Sequence, residues 1–115
     1  MQEPILTELQ YQALTREIVQ KLENRFRIAP LNSLRDPRYR LKGPVLISVE
    51  TADDQVIVSL DDVEAVAHAA TEFEAMDALC EEIVQLFEDL SSSRESLGPL
   101  SRKWLLYLEE IIECR

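Results

Sequence analysis

Thirteen aspartates and glutamates stand between Gly43 and Ser93, with no lysine or arginine among them. Carboxylates at that density can hold a divalent cation, act as acid and base, or attract a basic partner. A metal-dependent hydrolase or nuclease would gather Asp53, Asp54, Asp61 and Asp62 with the single histidine, His68. Their spacing is not that of a calcium-binding loop, and paired aspartates at strand ends commonly cap their own turns. Nucleophilic catalysis needs a base held against a nucleophile, and no GxSxG, HExxH or P-loop spacing supplies one. With only Gly43 and Gly98 as glycines, no phosphate-cradling loop is expected. Cys80 falls in an apolar helical stripe and Cys114 stands next to the last residue. Neither belongs to a ligand cluster. The expectation is a non-enzymatic chain without metal or cofactor, with two reduced thiols that suit the cytoplasm.

The net charge of −10 is unevenly spread. Residues 16–42 carry eight lysines and arginines against three acids. Within this stretch Arg35, Arg38, Tyr39, Arg40 and Lys42 interleave an aromatic ring with four cations. A nucleic-acid backbone would suit such an arm, but the acidity of the remainder opposes a polyanion. The competing expectation is that the arginines pair with the chain's own acidic surface or with that of a second copy. The acids of the central helix, Glu72, Glu74, Asp77, Glu81 and Glu82, then become candidates for steering a basic protein partner.

The elements that would position these groups follow from periodicity and caps. Thr7 to Gln10 is a capping box, and Leu14, Ile18, Leu22 and Phe26 recur every fourth residue. These predict a helix over Thr7–Arg27, ended by Pro30. Residues 28–44 read as a basic connector, punctuated by Pro30, Asn32, Pro37, Gly43 and Pro44. At about 17 residues it is long enough to be functional or packed as an arm. Val45, Ile47 and Val49 alternate with Leu46, Ser48 and Glu50; Val56, Val58 and Leu60 alternate with Ile57 and Ser59. Val63, Ala65, Ala67 and Ala69 continue the pattern, which predicts a three-stranded antiparallel meander. Thr71 to Glu74 is a second capping box, and Met76, Leu79, Cys80, Ile83, Phe87 and Leu90 form a helical stripe wide enough to cover one sheet face. Gly98-Pro99 opens a last helix through Trp104, Leu108 and Ile112.

The run from Gln55 to Leu90 resembles the antitoxin domain of the HicB family. The matching residues are Val56 to Val63, then Val66 to Thr71, then the helix start Glu72-Phe73-Glu74-Ala75-Met76. Val63-Glu64 stands where that family carries Pro-Gly, and Ala69-Ala70 where it carries Gly-Asp. The resemblance spans Val45 to Leu90. It implies a small antiparallel sheet with a helix across it and a habit of binding basic RNA-cleaving proteins. The short stretch from Pro99 to Arg115 argues against the family's DNA-binding module.

At 115 residues the chain matches one α+β domain. Its expected parts are an N-terminal helix (1–27), the connector (28–44), a sheet-helix unit (45–93) and a C-terminal helix (97–115). The apolar stripes of the two end helices raise the expectation of a homodimer or higher oligomer. No apolar run approaches the roughly 18 residues of a membrane span, and Met1 to Pro4 leads into no secretory signal core.

Overall fold

The computed structural model describes residues 26–115. The helix expected over Thr7–Arg27 lies outside the described residues as far as residue 25. Its final two positions are not helical. Phe26–Leu31 forms strand β1, in which Ala29 and Leu31 are buried while Phe26, Ile28 and Pro30 face outward. β2 is Tyr39–Leu41, β3 Val45–Ala52, β4 Gln55–Leu60 and β5 Ala65–Ala69. Helix α1 covers Glu72–Ser92, helix α2 covers Pro99–Ile111, and a short β6, Ile112–Cys114, follows it.

The main sheet therefore has four antiparallel strands in the order β1-β3-β4-β5, one more than the alternation predicts. β1 escapes the sequence reading because Phe26 continues the every-fourth-residue row of Leu14, Ile18 and Leu22. Pro30 ends a helix but does not forbid an edge strand, where its missing N–H need not join a ladder. β3 and β4 meet in a two-residue hairpin, Ala52 opposite Gln55. Asp53 turns it at a φ of 49°, a left-handed position that aspartate tolerates. At the other end of β4 a 3-10 turn over Asp61–Val63 leads into β5.

The connector is an arm packed across the molecule. Leu34 is 2% exposed and Leu41 is buried. β2 pairs with β6, placing Leu41 opposite Ile112. The C-terminal helix is shorter than the 97–115 expected, because its last apolar residue, Ile112, is recruited into this ribbon.

Period-2 alternation sends Ile47, Val49, Val58, Leu60, Ala65 and Ala67 inward. The stripe of α1, with Ala75, Met76, Leu79, Cys80, Ile83 and Val84, closes over them. Thr71 caps this helix: its Oγ1 accepts from the Glu74 amide at 3.2 Å and donates to the Glu74 carboxylate at 2.9 Å. Leu105 and Leu108 of α2 complete the core beside the 3-10 turn. Both helices lie on one side of the sheet. Leu60→Ala, at a fully buried site, should cost about 3 kcal/mol. Thr71→Ala should cost about 1 kcal/mol. Urea unfolding of the full chain measures both.

Candidate protein-binding surface

The basic arm is seated residue by residue on the chain's own acids. Ser33 Oγ accepts from the Arg35 amide at 2.9 Å, and Arg35 sits at a φ of 57°. This turn lays the Arg35 guanidinium over the Phe73 ring, 4.5 Å from its centroid. Arg35 also donates to the Phe73 carbonyl at 3.2 Å and lies 3.5 Å from the Asp77 carboxylate. Asp36 accepts the Arg38 amide at 2.7 Å and two guanidinium nitrogens of the same residue at 3.2 and 3.0 Å. The third nitrogen reaches Glu88 at 2.8 Å. The Tyr39 hydroxyl donates to the same Glu88 oxygen at 2.8 Å, and its ring meets Phe87 edge-on at 5.5 Å. Arg40 pairs with Glu113, and Lys42 donates to the Glu109 carbonyl at 3.2 Å. Arg27 of β1 adds a pair with Glu72.

The electrostatics follow these contacts. The hydrogen bond from Arg38 holds the Asp36 carboxyl below its usual range, and the reciprocal bond raises Arg38. The bond to Glu88 raises the Tyr39 phenol, since an ionised phenolate there would face a carboxylate. Burial raises the Cys80 thiol. Tyr107 is pushed up to about 12, first by burial and then by the Asp62 carboxylate beside it.

The five acids expected to meet a partner divide accordingly. Glu72 and Asp77 are committed to Arg27 and Arg35, and Glu74 to the Thr71 cap. Glu81 and Glu82 are exposed on the side of α1 away from the sheet and have no ion pair with any described residue. Gln85 and Asp89 extend that ridge, joined at 2.9 Å. The metal candidates do not converge. Asp53 and Asp54 lie at one end of β4 and Asp61 and Asp62 at the other, roughly 20 Å apart for a six-residue strand. His68 is exposed on β5, opposite Ile57. Among the described residues no three histidine, cysteine or acidic side chains gather as a metal site would need.

Sequence reasoning missed a second surface. The outer sheet face exposes Phe26 (50%), Ile28 (61%), Leu46 (67%) and Val66 (54%). The signal was available in the strands, since Leu46, Ile57 and Val66 occupy the outward positions of an alternating pattern. An open groove of about 680 Å³ runs along α2 past Pro99, Arg102, Leu106 and Tyr107. No described helix is long and apolar enough to cross a membrane.

Comparison of the chain with protein-family models, with curated proteins and with solved structures finds no match. The α+β architecture therefore rests on the strands and helices themselves.

Asp62→Asn should bring Tyr107 ionisation to lower pH, read by phenolate absorbance. A phenol raised above its unfolded value of about 10 adds stability below that pH, and the contribution disappears as pH rises through about 12. The wild type should therefore lose more stability than the variant as the pH rises from about 10 to about 12, read by urea unfolding across that range.

Proposed function

We propose that this chain is a non-enzymatic, HicB-like protein-interaction domain that takes a basic protein on the outer ridge of α1. One observation carries the reading: α1 already seats Arg27, Arg35 and Arg38 on Glu72, Asp77 and Glu88. The helix is a cation-accepting surface in use, and Glu81, Glu82 and Asp89 continue it toward solvent. Their attraction adds mainly to encounter rate and selectivity, because exposed pairs contribute little each. A reducing cytoplasm suits Cys80 and Cys114, both free.

Nucleic-acid binding through the connector is less well supported. Arg35, Arg38 and Arg40 each have a carboxylate of the same chain beside them. A phosphate would have to displace that partner. A metal-dependent hydrolase would require the aspartates at the two ends of β4 to act together.

Affinity capture from the native host with the wild type and with Glu81→Lys/Glu82→Lys tests the proposal. A captured protein of high isoelectric point should be lost with the variant. It should also be released by salt at about 0.5 M, where screening falls to a few ångströms. Equal capture by both proteins would sink the ridge as the docking surface.

A further inference from the structure

Two adjacent cations of α2 stand apart from the charge pairing found elsewhere in the molecule. Arg27, Arg35, Arg38, Arg40 and Arg94 each form an ion pair. Arg102 and Lys103 form none with any described residue, and Arg102 donates only to the Leu97 carbonyl, at 3.4 Å. Both side chains are exposed, and the first turn of α2 holds no acid.

These cations line the groove of about 680 Å³ along α2, a volume within the roughly 300–1,000 Å³ of ligand sites. Leu106, 58% exposed, follows Arg102 by four residues, and Glu110 follows Leu106 by four. The three therefore share one helix face, about 6 Å apart at each step. Leu97 and Tyr107 widen the apolar middle, with Tyr107 fixed beside Asp62. Glu110 has no ion pair with any described residue, and its neighbour Glu109 is taken by Arg94. Along about 12 Å the lining thus runs positive, apolar, negative.

That order selects the occupant. A simple fatty carboxylate would satisfy the cations but lay its apolar tail against Glu110. A peptide with an acidic, an apolar and a basic side chain in line complements all three points. In an extended segment alternate side chains lie on one side about 6.7 Å apart, close to the step along α2. A segment short enough for this groove is not a stable helix by itself, since isolated helices under about 12 residues are marginal. The net charge of −10 does not bar an acidic side chain here. Exposed charges beyond about 8 Å are largely screened at physiological salt, so the two cations set what meets that end of the groove.

We propose that the α2 groove docks an extended segment of a partner protein with an acid, a bulky apolar residue and a base at alternate positions. The acid meets Arg102 and Lys103, the apolar side chain packs on Leu97, Leu106 and Tyr107, and the base reaches Glu110. The site is separate from the α1 ridge, and Glu81→Lys/Glu82→Lys should leave it unchanged.

Fluorescence anisotropy of labelled peptides of roughly ten residues, titrated with the full chain, tests the proposal. A peptide with glutamate, leucine and lysine at alternate positions, separated by serines, should bind. Replacing its glutamate by lysine should weaken binding about tenfold, as should Leu106→Ser in the protein. Arg102→Glu/Lys103→Glu should reverse the preference, losing the first peptide and gaining the peptide with two lysines. Circular dichroism should show every variant folded, since the substituted side chains are exposed. No binding of the first peptide up to about 1 mM, or equal binding by the Arg102→Glu/Lys103→Glu variant, overturns the proposal. Octanoate that binds as tightly and displaces the peptide would give the groove to a small amphiphile and overturn the peptide assignment. A dimer in light scattering that Leu106→Asp dissociates would give it to a second copy, with the same consequence.

Discussion

A strand can send only every second side chain toward a given layer. This protein places both described helices on one side of its sheet, so that constraint governs nearly everything else. The inward set, from Ala29 and Leu31 through Val49, Val58 and Ala67, is buried beneath α1. The outward set is left to find another cover or remain wet. The core follows from the first half of that division, and the unfinished apolar face from the second.

The same one-sidedness explains why the arm takes its route. The chain leaves β1 at Leu31 and must return as the neighbouring strand β3 at Val45. It does not turn back directly. It passes along α1, drops Leu34 into the core, pairs Tyr39–Leu41 with the end of the chain, and returns. Its arginines are distributed along that path against Asp77, Glu88 and Glu113. Each exposed pair is weak alone. Their collective effect is to hold one route among many, aided by the Arg35 stack on Phe73 and the edge-on contact of Tyr39 with Phe87.

Much of the architecture was legible because it is local. The alternation of Val45 to Leu60 and the Thr71 capping box depend on residues a few positions apart, and both take the form expected. The inward positions of β5 also follow from the pattern, with Ala65 and Ala67 buried. The errors arise where two local readings compete. Phe26 fits a helical row and a strand edge equally well, and only its pairing with Glu50 decides between them. Ile112 fits the stripe of α2 and also the ribbon opposite Leu41. The general pairing of the arm with the chain's acids could be anticipated from charge segregation. That Arg38 would share Glu88 with Tyr39 could not, since it depends on the path between β1 and β3.

The ribbon of β2 and β6 also imposes an order of events. Tyr39 has its strand partner in Cys114, and the Arg38 carbonyl accepts from the Arg115 amide at 3.0 Å. The meander of β3, β4 and β5 closes through short turns and can form early, because nearby contacts require little loop closure. The arm cannot lock until the residues at 112–115 have emerged and α2 has docked. During synthesis the arginine-bearing strap therefore stays unfastened until residues 112–115 are available to pair with Tyr39–Leu41.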